Sequence, residues 1–175
     1  IGCAAGKYSA SEAAAAANDC IDCPAGKWVG RVASTAQEDC IDCAAGRYAT
    51  ATGSESAGSC TECPPGTWVS TLGNTGCVDC AAGRHTRNIG NVNEVACLLC
   101  SAGKYGPVAG GGCISCTAGR FMNATVWGSW TADDCQLCPQ GRYQYHLSQT
   151  ICDECGPGTF VDALGSNDVS DCIDC

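Results

Sequence analysis

The chain has 175 residues, 19 of them cysteine, and a formal net charge of −9. About 11% cysteine reads as a disulfide scaffold, and the 25 Leu, Ile, Val and Phe residues make up about 14%, below the roughly 20% that an ordinary apolar core needs. Nine basic residues against eighteen acids exclude a nucleic-acid binder, which needs clustered Lys and Arg, and no apolar run approaches the roughly 18 residues of a membrane helix.

Disulfides persist in oxidising compartments, so a secreted or surface-displayed protein is expected. The start, Ile1-Gly2-Cys3, has neither the charged nor the apolar region of a signal peptide, and we expect a mature fragment of a longer chain.

Along the chain, Cys3 is followed by nine C-x-x-C pairs, at 20/23, 40/43, 60/63, 77/80, 97/100, 113/116, 135/138, 152/155 and 172/175, recurring every 16 to 22 residues. Such self-similarity marks a repeat architecture. Each loop opens alike: Cys3-Ala-Ala-Gly-Lys-Tyr8, Cys23-Pro-Ala-Gly-Lys-Trp28, Cys43-Ala-Ala-Gly-Arg-Tyr48, and so on to Cys155-Gly-Pro-Gly-Thr-Phe160. Glycine stands three residues after the cysteine in all nine loops and an aromatic five after it in eight, His85 being the exception. Pro or Ala before an obligate Gly predicts a type II-like turn. The aromatic is then expected on a short strand, covering the disulfide and supplying most of the buried apolar area.

In the first loop, Ala13 to Ala17 is the only stretch with helical character, and a helix that short is marginal alone. Later loops carry an aliphatic near their middle, at Val32, Leu72, Ile89, Leu147 and Leu164, with Gly73, Gly90 and Gly165 following three of them. This predicts a second turn. The loop from 116 to 135 is the longest and contains the sequon Asn123-Ala-Thr125, where a surface glycan fits. The same loop holds Trp127-Gly-Ser-Trp130, which resembles the W-x-x-W signal for C-mannosylation of thrombospondin-type repeats and marks Trp127 as a second glycosylation candidate; an aromatic contact patch is the alternative.

Two cysteine pairings compete, because connectivity does not follow from counting. A ladder joins the second cysteine of each pair to the first of the next: Cys3–Cys20, Cys23–Cys40, Cys43–Cys60, Cys63–Cys77, Cys80–Cys97, Cys100–Cys113, Cys116–Cys135, Cys138–Cys152 and Cys155–Cys172. It leaves over only Cys175. A crossed scheme in blocks of four strands Cys3, Cys172 and Cys175.

The unit C-x-x-C-x-x-G-x-[YWF] resembles the ephrin-receptor-like cysteine-rich repeat and is similar to the single-disulfide module of tumour necrosis factor receptor ectodomains. The likeness runs over essentially the whole chain, and the latter family's pairing implies the ladder. The double-disulfide modules that alternate in those receptors are missing here. The expected fold is therefore small and disulfide-rich: one elongated tandem array over 1–175, made of single-disulfide hairpin and loop repeats with little regular secondary structure. Each repeat is expected to contact mainly its neighbours, and each closed loop contributes about 3 kcal/mol in the chain-entropy model.

Charge follows the same period. Lys7, Lys27, Arg47, Arg84, Lys104, Arg120 and Arg142 each stand one residue before the aromatic slot, and acids such as Asp22, Asp42, Glu62, Asp79, Glu154 and Asp174 lie inside the cysteine pairs. Two stripes follow, which either face water or pair within or between copies. Paired thiolates at this spacing also resemble a zinc ribbon, but the unbroken odd array favours oxidation, and neither a metal nor another cofactor is expected. His85 and His146 lack triad spacing, so no enzyme is expected.

Two roles remain. The first is an extracellular structural component, a stalk, surface fibre or filament, whose partners are copies of itself or other extracellular structural proteins. The second is a receptor or adhesion ectodomain that binds a protein or glycan through variable loops such as 116–135.

Overall fold

The computed structural model describes residues 2–9 and 19–175; the helical stretch expected at Ala13 to Ala17 lies outside them. Nine disulfides run in sequence from Cys3–Cys20 to Cys155–Cys172 in the ladder order, with Cα–Cα separations of 5.6 to 5.8 Å, well inside the range a disulfide spans. Cys175 is free and exposed. We number the repeats one to nine by these bonds.

The opening of every repeat folds as the turn chemistry dictates. In the first, the Lys7 N–H donates to Ala4 O at 3.2 Å and Gly6 takes φ +80°, the combination of a type II turn. The two residues after the glycine form a strand, Lys7–Tyr8, that pairs antiparallel with Ile21–Asp22 inside the C-x-x-C. Eight further two-residue hairpins repeat this, ending with Thr159–Phe160 against Ile173–Asp174. No other strands and no α-helices occur among the described residues, so the protein is small and disulfide-rich with little regular secondary structure.

Loop length decides how a repeat closes. The longer loops end in a short 3-10 turn before the second cysteine, at Gln37–Asp39, Ala57–Ser59, Glu94–Ala96, Ala132–Asp134 and Val169–Asp171. The short loops of repeats four, six and eight reach their cysteine without one.

Repeats are joined by backbone. The aromatic strand of one repeat makes a parallel bridge to the loop of the next, as in Tyr8 with Ser34, Trp28 with Ser54 and Tyr48 with Asn74. The second turn, which the aliphatic and glycine pattern announces, adds another link: the Gly53 N–H donates to Cys23 O and the Gly73 N–H to Cys43 O. This position is left-handed in repeats two through nine, where Ala33 (φ 57°) and Ser148 (φ 60°) stand in place of the usual glycine.

One expectation needs correction. Trp28, Tyr48, Trp68 and Tyr105 are partly buried and Tyr8 is 9% exposed. The inside is built from cysteines and from the residue after the aromatic: Val29 is 2% exposed, Met122 0% and Gln144 2%. Moreover, the aromatic covers the disulfide of the next repeat rather than its own. Trp28 packs on Cys43 and Cys60, and Tyr105 on Cys116 and Cys135. The strand alternates, so one of two successive side chains faces the interior, and here it is the residue after the aromatic that sits beside the sulfurs.

Contacts also reach beyond the adjacent repeat in several places. The turn glycine Gly6 lies under the Gly53 carbonyl of repeat three, and Gly83 of repeat five under that of Gly128 in repeat seven.

Packing divides the chain into two compact units, Ile1–Asp79 with Arg87–Ala96, and Cys80–Thr86 with Cys97–Cys175. The division falls inside repeat five, whose hairpin belongs to the second unit and whose loop belongs to the first.

Candidate functional site

The hairpin register brings the two charged stripes together inside single repeats. Lys7 stands opposite Asp22, Lys27 opposite Asp42, Arg47 opposite Glu62 and Arg142 opposite Glu154. The first two pairs close at 2.6 Å, and Arg47 and Arg142 grip their glutamates as well. In the arginine pairs, Nη1 donates to the carbonyl of the closing cysteine, Cys60 or Cys152, while Nη2 reaches the carboxylate. The pairs are partly exposed, so each is worth at most about 1 kcal/mol.

Three consecutive hairpins depart from this. Arg84 faces Leu99, Lys104 faces Ser115 and Arg120 faces Leu137. The anchoring bonds persist, from Arg84 Nη1 to Cys97 O at 3.0 Å and from Arg120 Nη1 to Cys135 O at 2.7 Å. Among the described residues, no carboxylate pairs with any of these three cations.

Both histidines lie in the second unit. His85 fills the aromatic slot and brings Nδ1 to 3.1 Å from Cys113 Sγ, with Cys100 in the same cluster. The two sulfurs are bonded to each other, which removes the thiolates a metal would need. His146 packs against Tyr145 with the rings tilted by 42° and their centroids 3.9 Å apart.

Two acids are tuned by the 3-10 turns. The Thr35 N–H donates to Asp39, whose pKa is held below the usual carboxylate range, with Ala36 N–H and Arg31 adding to the effect and burial opposing it. The Ser170 N–H does the same for Asp168.

The long loop of repeat seven presents its aromatics outward. Trp127 is 59% and Trp130 66% exposed, and the Trp127 indole N–H donates to Ala124 O. Asn123, exposed, accepts from the Thr125 N–H at 3.0 Å and its hydroxyl at 2.9 Å. Cysteine counting finds neither the deeply buried slot after the aromatic nor the three unpaired hairpins; comparing the residue just before the second cysteine of each C-x-x-C, Asp or Glu against Leu99, Ser115 and Leu137, exposes the latter.

Two segments, residues 50–97 and 128–172, match the family described as tyrosine-protein kinase ephrin type A/B receptor-like, and together they make up more than half of the chain. The chain belongs to this family. No curated protein matches it. The ephrin receptor-like segments include Arg84 and Trp130, while Lys104, Arg120, Asn123 and Trp127 fall between them. Nine disulfides and an ephrin receptor-like ectodomain module together indicate an extracellular or cell-surface location. No helix among the described residues is long and apolar enough to cross a membrane.

Proposed function

We propose that the array is a non-enzymatic, receptor-like binding ectodomain whose disulfide ladder holds the loop 116–135 as its contact surface. The observation that carries this reading is the exposure of Trp127 and Trp130 in the longest loop, in a protein whose hairpin aromatics are otherwise turned at least partly into the fold. Large amphipathic side chains fixed on a rigid scaffold contribute contact area at low entropic cost. The partner is an extracellular protein or glycan. Asn123 is the expected N-glycan site, and Trp127 is the expected C-mannosylation site if the secretory host adds one.

A printed array of extracellular proteins and glycans, probed with the labelled oxidised chain, tests this. Binding to one class that is lost in Trp127→Ala/Trp130→Ala, with all nine disulfides retained, supports it. Binding unchanged in that variant, or none at all, contradicts it.

A stalk or fibre component is the second reading, favoured by one observation. The residue before the second turn is an exposed aliphatic in several repeats, with Val32, Leu72 and Ile89 in the first unit and Leu147 and Leu164 in the second.

A further inference from the structure

From Val95 to Ala132 the sequence contains no Asp or Glu, although the chain as a whole has eighteen. Arg84, Lys104 and Arg120 occupy the same hairpin position in repeats five, six and seven, all within the second unit. The molecule itself shows what this position does when an acid is at hand. In repeats three and eight an arginine at this position rests Nη1 on the closing cysteine's carbonyl and gives Nη2 to a carboxylate oxygen. In repeats five and seven the first bond is made and the opposite residue is leucine. The guanidinium is oriented by the same carbonyl, and orientation of this kind favours a planar, two-donor grip on an oxyanion.

We propose that Arg84, Lys104 and Arg120 form a binding face for an anionic polysaccharide, a chain bearing sulfate or carboxylate groups along its length. One cation per repeat over three successive repeats makes a row, which suits a linear ligand better than a single small anion. The acids elsewhere in the chain repel a polyanion and confine contact to these three hairpins. A second copy of the chain is the poorer partner, because Asp22, Asp42, Glu62 and Glu154 already hold the basic residues of their own hairpins, leaving of this stripe only Asp79 and Asp174, opposite Thr67 and Thr159. The inference rests on the extracellular reading but uses none of the tryptophans, so either can fail alone.

The test is retention of the full oxidised chain on immobilised heparin, desulfated heparin, hyaluronan and a poly-glutamate peptide, eluted with salt. The difference between heparin and desulfated heparin isolates the sulfate contribution, and hyaluronan reports the carboxylate alone. The decisive variant is Leu99→Glu/Leu137→Glu, which supplies the missing internal partners. Glu62 already packs its Cβ and Cγ beside Gly90 in the corresponding place, so the fold accepts the change. We expect binding to at least one glycan, weakened about tenfold by this variant and abolished by Arg84→Gln/Lys104→Gln/Arg120→Gln. Lys7→Gln/Lys27→Gln, at hairpins already paired, should change affinity less than about twofold. The proposal is overturned by no retention on any glycan at about 0.05 M salt, where exposed charges are weakly screened. Retention that survives both hairpin variants, or preference for the peptide over every glycan, overturns it equally.

Discussion

The glycine three residues after the opening cysteine is held by two independent demands in repeats such as the fifth. Its φ is left-handed, +77° at Gly83, and a Cβ there would stand 2.8 Å from the Gly128 carbonyl carbon, two repeats away. Gly158 has the same φ class, +83°, with nothing within 4 Å of its would-be Cβ. Gly83→Ala should therefore cost on the order of 3 kcal/mol or more and Gly158→Ala about 1 kcal/mol, measured by denaturant unfolding of the oxidised protein. Equal costs would mean that the close approach contributes nothing. Ala33, at φ 57°, offers the converse case. Ala33→Gly relieves roughly 1 kcal/mol of left-handed strain against a slightly smaller entropic loss in the unfolded chain, so a small net stabilisation is expected. At this scale the turn was legible in the sequence because its cause is local. The carbonyl pressed onto the glycine was not, since it comes from a segment some 45 residues onward, and the burial of Val29 and Met122 ahead of Trp28 and Phe121 follows from strand facing that two-residue strands hardly signal.

Hairpins and 3-10 turns set how each repeat responds to chemistry. Cys43 and Cys60 lie beneath Trp28 of the preceding repeat. Replacing both by Ala should cost about 2–5 kcal/mol and shift Trp28 emission, although Trp28 belongs to a different loop. An unchanged emission would contradict the overlap of neighbouring repeats. Acid should act on the turns. Asp39 and Asp168 have lowered folded pKa values because backbone N–H groups of Thr35 and Ser170 donate to them. Their contribution is present above the usual carboxylate range and is lost as pH falls through the folded values. Asp39→Asn/Asp168→Asn should flatten the acid side of the thermal-stability profile; an unaltered profile would remove these caps from the account. The hairpin charge pattern was legible because it follows the cysteine period, whereas the period fits two pairings and the ladder came from the resemblance to tumour necrosis factor receptor modules. Which hairpins pair was not read, since the exceptions at Leu99, Ser115 and Leu137 appear only once each strand is set in register against its partner.

At the scale of the whole molecule, repetition provides covalent constancy and leaves function to what departs from it. The stripes that could have joined one copy to another are closed in four hairpins, and the departures gather in the second unit, at Trp127, Trp130, Arg84, Lys104 and Arg120. The expected glycans belong here too. Intact-mass measurement after expression in a secretory host should show an N-glycan removed by Asn123→Gln; an identical mass would exclude occupancy. The choice between a binding ectodomain and a fibre component is a choice about self-association, and sedimentation velocity of the oxidised chain with Cys175 alkylated decides it most directly. A single monomeric species across a hundredfold range of concentration is the predicted result, whereas reversible growth into large assemblies would contradict the binding-module reading and restore the exposed aliphatics at Val32, Leu72 and Ile89 as contacts of a filament.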